Sequence, residues 1–375
     1  MINRHIIDLS HCTTLICCII IFVFIKCLSE NCNVTKIIDR YIRNNDLMRE
    51  SASRIISPSP TLSLEAQEID ELVDNMKHSD IELIQISKTN SPSSLTIVNF
   101  DLIDIQVGNF GATYISNGTT DTEHTGLMYK LKLDTQTVCN GYNISSKDFM
   151  LYNKNSEHMA MNNNSCNWAY ITFKSDYLED TLIDCLEIDL DTRPGQCVCL
   201  QSGHQKNLDS LNMIINEVAG LAQSNPELLR DPDILKAMEV SLLTSQAVLL
   251  ENALNPRTGS RDKANKSHKL IIKGALEYLK SNSYNPIHVL DLCKVLNVKM
   301  RTLFYAFQEF YGISPVRYLR LLRYAKARRD LLNSNPKKTS VTDIAAKWHF
   351  WHFGRFSVDY KRLYGESPSE SLNKM

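Results

Sequence analysis

Apolar residues along this chain change their spacing twice. From about 81 to 200 they come in short runs, such as SLTIVNFDLIDIQVG, YKLKL, DFMLYN and WAYITF, separated by SNGTTD, CNGYN and similar Asn, Gly and Asp turns. Short β-branched and aromatic runs between turn residues predict a small all-β sandwich or barrel. Just upstream, after the loop SASRIISPSP, the stretch SLEAQEIDELVDNM puts Ile69, Leu72, Val73 and Met76 on one helical face, so a helix is expected there. From 207 to 254 the period becomes helical, in NLDSLNMIINEVAGLAQ and ILKAMEVSLLTSQAVLLENAL. NPRTGSRDKANKS is polar and unpatterned and is expected to be a flexible linker over 256–268. Everything after it carries helical spacing. The expected divisions are a leader and linker at 1–60, a β-rich domain at 61–200, a helical region at 201–255, the linker, and an all-helical domain at 269–372.

The last of these contains a repeat. EFYGISP at 309–315 returns as RLYGESP at 362–368. Upstream, Asp291, Leu292 and Val298 fall on Asp343, Ile344 and Phe350 at an offset of 52; one added residue then brings Leu303, Phe307 and Tyr311 onto Phe356, Tyr360 and Tyr364 at 53. Apolar positions keep their spacing while exposed ones differ, so each copy is one structural unit: a helix, a tight turn and a second helix, at about 288–311 and 340–364. Ser340 with Asp343 reads as a capping box. Asn297 and His349 stand where the turn needs positive φ, Gly312 and Gly365 end the second helices, and Ser-Pro opens the next helix with an N-cap and a proline at N1. In copy one Leu303 and Phe307 face inward and Arg301, Phe304, Tyr305 and Gln308 outward. In copy two Phe356 and Tyr360 are expected inside, with His352, Arg355 and Asp359 outside.

A helix-turn-helix unit sets its second helix in the DNA major groove. SPVRYLRLLRYAKARRDLL joins the two units as a helix of about 18 residues, roughly 27 Å long, a length suited to holding two heads about one DNA turn (~34 Å) apart. Its Arg317, Arg320, Arg323, Lys326, Arg328 and Arg329, with Lys337 and Lys338 beyond, read either as phosphate-facing charge or as a solvated helix face, and Arg323 also as an internal ion-pair partner. Net charge favours the first reading. The whole chain carries -1, but residues 269–375 hold 19 Lys and Arg against 8 Asp and Glu, whereas residues 1–268 hold 22 against 34. A basic end behind an acidic body points to a polyanionic partner, nucleic acid ahead of anionic membrane.

On RTLFYAFQEFYGISPVRYLRLLR, the following AKARRDLL and VTDIAAKWHFWHFGRFSVDYKRLYGESPSESL, residues 269–372 resemble the DNA-binding domain of the AraC/XylS family of bacterial transcription regulators. The chain departs from the family pattern at His349, where Gly is usual, at Gly354, where a small hydroxyl is usual, and at Tyr360, where Phe is usual. The resemblance implies a multidomain α+β chain: an N-terminal β-rich, cupin-like effector or dimerisation domain, a helical linker, and a C-terminal all-α double helix-turn-helix domain. The implied base-contacting residues are Arg301, Phe304 and Tyr305 in the first unit and Phe353, Gly354, Arg355 and Val358 in the second. Arg301 and Arg355 are favoured because a guanidinium bonds a guanine edge in bidentate fashion. Phe304 fits either a thymine methyl or packing on a neighbouring helix. Phosphate contacts are expected from Lys299, Arg317, Arg320, His352, Lys361 and Arg362. Implied partners are double-stranded promoter DNA, RNA polymerase, a small-molecule effector, which the aromatic turn WHFWHFGRF also hints at through its resemblance to ethanolamine-operon regulators, and a second copy through a seam along Leu211, Ile214, Ile215, Val218 and Leu221. Packing of that seam on its own domain fits equally well.

Other chemistries find little support. The 11 cysteines form no C-x-x-C pair, which argues against a zinc module; CVC at 197–199 reads as small apolar strand residues. His124 and His158 stand alone with no H-x-H, and no P-loop, dinucleotide fingerprint or G-x-S-x-G occurs, so neither metal, cofactor nor enzymatic activity is expected. No RNP-like motif suggests RNA. LICCIIIFVFI at 15–25 has the length of a signal-peptide core, short for a membrane span. Three readings stay open for it: translated flanking sequence ahead of a start such as Met48, an export signal, or an anchor tethering a membrane-bound sensor-regulator. Asn-x-Ser/Thr sequons at Asn33, Asn117, Asn143 and Asn163 are expected by chance in an Asn-rich chain. The leading expectation is a cytoplasmic regulator.

Overall fold

The structure is a computed structural model describing residues 60–66, 68–131, 137–162, 166–174, 193–254, 260–282 and 287–374. In chain order the first part holds β1 (Thr61–Ala66), α1 (Asp70–Val73), β2 (Ser79–Gln85), β3 (Ser93–Asn99), β4 (Ile103–Phe110), β5 (Tyr114–Thr120), β6 (His124–Lys130), β7 (Thr137–Cys139), β8 (Tyr142–Ile144), β9 (Asp148–Tyr152), β10 (Glu157–Asn162), β11 (Cys166–Lys174) and β12 (Cys197–Ser202). Then come α2 (Gln205–Ser224), α3 (Pro232–Glu251) and β13 (Ala253–Leu254). The remainder is helical: α4 (Ser260–Ser281), α5 (Val289–Val295), α6 (Met300–Tyr311), α7 (Pro315–Leu332), α8 (Val341–Lys347), α9 (Phe353–Tyr364) and α10 (Pro368–Leu372).

The strands build two antiparallel sheets, one ordered β1-β3-β4-β11-β6-β9-β12-β13 and the other β2-β5-β10-β7-β8. They face each other, as expected of a cupin-like sandwich: Leu83 and Tyr114 of the smaller sheet pack with Leu95, Ile97 and Phe110 of the larger. The period of two is plain in β11, where Ala169, Ile171 and Phe173 join one core while Trp168 and Tyr170 turn to the other side. Both faces of the large sheet are covered, which explains why its strands read as nearly continuous apolar runs. The outer cover is α2 and α3. Leu211, Ile215 and Val218 are fully buried there against Leu127, Phe149 and Ile171, each such side chain contributing roughly 1.5–3 kcal/mol.

That packing removes the expected dimer seam. Leu211, Ile214, Ile215, Val218 and Leu221 belong to the core of their own chain. Two other expectations also change. The segment TLSLEA is a strand rather than part of a helix, because Thr61 to Ala66 pair with Val98 to Ser93 in register and the ladder overrides the local helix preference of Leu, Glu and Ala. Helix survives only over the four residues of α1, with Ile69 and Leu72 buried. The expected linker at 256–268 is interrupted as well, since α4 begins at Ser260. Lys, Ala and Asp-rich sequence without apolar periodicity still favours helix once its C-terminal half docks, and Ile272, Ala275 and Leu279 do dock.

The two helix-turn-helix units match the repeat position by position. Asn297 and His349 hold their turns at φ of 50° and 62°, and Gly312 and Gly365 end α6 and α9 at φ of 64° and 82°. Ser314, Ser340 and Ser367 cap α7, α8 and α10. The units differ in their surroundings. Phe307, Phe310 and Tyr311 of the first share one core with Ile84, Ile115, Met159 and Met161 of the sandwich. Ile344, Trp348, Phe356, Tyr360 and Tyr364 of the second form a separate core with Tyr324 and Leu331 of α7. Among the described residues no helix is long and apolar enough to cross a membrane; the apolar run 15–25 lies outside them.

Candidate nucleic-acid interface

The inward faces of α6 and α9 are consumed by packing, which leaves each helix one free face. On α6 that face presents Arg301, Phe304, Tyr305 and Met300, with Phe304 44% and Tyr305 48% exposed. Arg301 lies over the Tyr305 ring at 5.4 Å and donates from Nε and Nη2 to the Tyr305 hydroxyl at 3.2 and 3.0 Å, one turn along the helix. Phe304 meets Tyr305 edge-on. The four form one surface, with the guanidinium parked on a rigid aromatic base. Lys299 precedes them, exposed, at the N-cap.

On α9 the free face presents Phe353, Gly354, Arg355 and Val358, all exposed, with His352 at the N-cap. A Cβ placed on Gly354 would meet nothing within 4 Å, so backbone can come close to a ligand there. Trp351, 70% exposed in the turn before α9, extends this face and is absent from the expected contacts. Its signal was visible in the doubled aromatic pattern of WHFWHF, since a large apolar side chain between Phe350 and His352 on no buried period has no core to enter.

Asp359, expected outside, is buried and organises this side of the domain. It accepts from Arg320 of α7 and from Arg362, and Arg355 Nε approaches its carboxylate at 3.7 Å. Arg320 and Arg362 balance a buried carboxylate at hydrogen-bond distance, and Arg355, at 3.7 Å, is the one of the three held least closely. The charge of α7 divides similarly. Arg317 is exposed. Arg323 is half-buried over the Phe350 ring at 5.4 Å and has no ion pair among the described residues, with burial first and Arg320 second lowering its pKa. Lys326 lies over Trp348 at 5.5 Å. Arg328 faces inward, meeting Glu68 at 2.7 Å and Glu366 at 2.9 Å and stacking on Tyr364 at 4.5 Å, and Arg329 reaches Asp70 at 3.4 Å. Much of the helix's positive charge is thus structural. Exposed positive charge remains on Lys299, Arg317, Lys337, Lys338, Lys361 and Arg362, and His352 is exposed beside them.

A second concave site lies between the sheets, lined by Met76, Phe110, Met128, Met150, Trp168 and Tyr170. Its polar side is a chain in which His158 meets Ser116 and Tyr152 at 2.7 Å each. Burial pushes the His158 imidazole down to about 4, so the ring is neutral near neutral pH. The Trp168 indole N–H and the Tyr170 hydroxyl are buried without a hydrogen-bond partner among the described residues. Of the sequons, Asn117 is buried and hydrogen-bonded to Tyr311 and Tyr318, which rules out a glycan in this fold.

Residues 292–374 match the family model described as "Helix-turn-helix domain". The chain is 32% identical over 195 residues to the "Probable thc operon regulatory protein" of Rhodococcus erythropolis, covering 52% of this chain and 53% of that protein. It is 27% identical over 116 residues to "XylDLEGF operon transcriptional activator 2" of Pseudomonas putida, covering 29% of this chain and 74% of the relative. The chain thus spans about half the length of the first relative and three quarters of the second. Among solved structures it is 31% identical to a probable AraC family transcriptional regulator from Rhodopseudomonas palustris, covering 28% of this chain and 96% of that one, with a TM-score of 0.26. With the repeated turns, caps and outward faces above, the family model and the two curated relatives make residues 292–374 a helix-turn-helix domain similar to those of bacterial transcription regulators.

Proposed function

We propose that this chain is a sequence-specific DNA-binding transcription regulator whose two reading helices, α6 and α9, enter successive major grooves of one duplex. The observation that carries the reading is the pair of free faces, each bearing one exposed guanidinium beside exposed apolar groups, on units held by a single 18-residue helix. Arg301 and Arg355 read guanine edges, Phe304, Phe353 and Val358 meet thymine methyls, and Tyr305 holds Arg301 in register. Lys299, Arg317, His352 and Lys361 lie on phosphates, joined by Arg320 and Arg362 when DNA competes with Asp359. On this reading the protein works in the cytoplasm, on promoter DNA and alongside RNA polymerase, alone or as a homodimer formed elsewhere than along α2. Its working divisions are a sandwich at 61–200, a helical cover at 201–255 and a DNA-binding domain that starts at Ser260.

The cavity between the sheets is the effector site of this reading. Its lining is apolar, its histidine neutral, and its unpartnered groups, Trp168 Nε1–H and Tyr170 Oη–H, are donors. That combination fits a mostly apolar molecule carrying a hydrogen-bond acceptor. The test is a genomic footprint of the full-length protein, followed by affinity for the recovered duplex as salt is varied. Affinity should fall linearly in log–log form as phosphate-bound counterions are released. Absence of any salt-sensitive duplex binding overturns the reading.

A further inference from the structure

At one end of the sandwich, four side chains from distant segments meet. His78 sits in the turn before β2, Asp121 just after β5, His124 at the start of β6, and Asp104 on β4. Asp121 Oδ2 lies 2.7 Å from His124 Nδ1 and 3.1 Å from His78 Nδ1, and the two imidazole rings are 3.8 Å apart. Ligand atoms of His78, Asp121 and His124 all fall within 4.8 Å of one another. Behind them Asp104 Oδ2 holds the far nitrogen of His78, Nε2, at 2.7 Å. The other oxygen of Asp121 is fixed by the backbone N–H groups of Glu123 and His124, so Oδ2 is presented to both rings. His78 reaches this place with a φ of 60°.

We propose that this cluster is a binding site for a first-row divalent transition ion, with Zn2+ the best match. His78 Nδ1, His124 Nδ1 and Asp121 Oδ2 are the ligands, and a fourth position stays open to water or solute. The donor set selects the ion class: two imidazoles and one carboxylate suit Zn2+ and its neighbours, whereas Mg2+ and Ca2+ take oxygen. A tetrahedral ion with bonds of about 2.0–2.1 Å spaces its donors about 3.3 Å apart, so an opening of a few tenths of an ångström admits it. On binding, the ion takes the Nδ1 lone pair of each neutral imidazole: an Nδ1 proton leaves to solvent where the ring is doubly protonated and shifts through solvent to Nε2 where it is not, while Asp104 keeps the Nε2–H bond and fixes the His78 tautomer. A carboxylate behind a ligating histidine is the usual supporting arrangement. His78 and Asp121 come from the smaller-sheet side, and His124 and the supporting Asp104 from the larger sheet, so the ion ties the two together. Ser79 and Thr120, adjacent in sequence to His78 and Asp121, line the cavity between the sheets, which places the ion beside that space.

Co2+ is the probe. Added to chelator-treated full-length protein, one equivalent should give the visible ligand-field bands of a tetrahedral nitrogen–oxygen site, without a thiolate charge-transfer band, and Zn2+ should bleach them. Asp104→Asn should weaken binding about 10–100-fold by loosening His78. His124→Gln should abolish it, and His268→Gln, which touches an unrelated His–Glu pair, should change nothing. A thiolate band would mean that cysteines hold the ion, and binding unchanged in His124→Gln or no binding at micromolar Co2+ would equally overturn the proposal. If His124→Gln does not fold, the wild-type spectrum and Asp104→Asn decide between the outcomes. DNA binding enters none of these readouts.

Discussion

Single side chains set the terms for recognition. Arg301 and Arg355 occupy equivalent free faces but start from different partners, a tyrosine hydroxyl and ring in one case and a buried carboxylate in the other. Replacing either with Ala should cost about 1–3 kcal/mol at the recovered site and relax preference at one base pair, whereas equal loss on every duplex would reassign it to phosphate. Tyr305→Phe keeps the ring and removes the hydroxyl, so it should weaken binding less than Arg301→Ala while broadening the same base preference. His158 carries a separate prediction. Its pKa is depressed by burial from 6.5 to about 4, so the unfolded chain binds a proton that the folded chain refuses between those values. The stability of the neutral ring is complete above pH ~6.5 and is lost as pH falls toward 4, by at most about 3 kcal/mol and less where cavity water reaches the ring. His158→Gln should flatten that slope, read as the difference in urea midpoint between pH 7 and pH 4.5.

At the scale of elements, the turns of the two units differ from the family pattern yet keep its geometry. His349 stands at φ 62° where Gly is usual. His349→Gly should change stability by under about 1 kcal/mol, since relief of left-handed strain offsets added chain entropy, but His349→Val should cost about 1–2 kcal/mol, checked by thermal melting. These turns, the caps and the inward faces were readable because each depends on residues within one short segment: Gly312 ends α6 and Ser314 begins α7 whatever lies elsewhere. Elements decided by distant partners were not. TLSLEA follows a helical pattern until Val98 and Ile97 are placed beside it, and the start of α4 carries no apolar period because its anchor is downstream. The burial of Asp359 needed Arg320 on another helix. His78 and His124, 46 positions apart, show no ligand spacing; only the pairing of β2 with β5 and of β6 with β11 brings them together.

Across the whole molecule, the sandwich holds the helical domain by two kinds of contact. Asn117 of β5 bridges two buried hydroxyls, accepting from Tyr311 at 2.5 Å and donating to Tyr318 at 3.0 Å. Asn117→Ala should cost about 1–3 kcal/mol for each hydroxyl stranded, measured from denaturant midpoints, and adding Tyr311→Phe and Tyr318→Phe should recover most of it. That grip falls on the first helix-turn-helix unit, whose core is continuous with the sandwich. Around the second unit the ties are ionic: Glu68 to Arg328 and Lys374, and Asp70 to Arg329. Moving from 0.1 M to 1 M salt shortens the screening length from about 10 Å to 3 Å, which weakens exposed charge pairs and leaves oily contacts intact or stronger. High salt should therefore loosen mainly the exposed Arg329–Asp70 and Lys374–Glu68 ties and leave the largely buried Arg328–Glu68 pair in place, so any faster deuterium exchange should fall on backbone amides near Asp70 and Lys374 and not on 300–311. Both heads keep their apolar seats on the same rod, so ionic conditions tune only how tightly its far end is tethered to the sandwich.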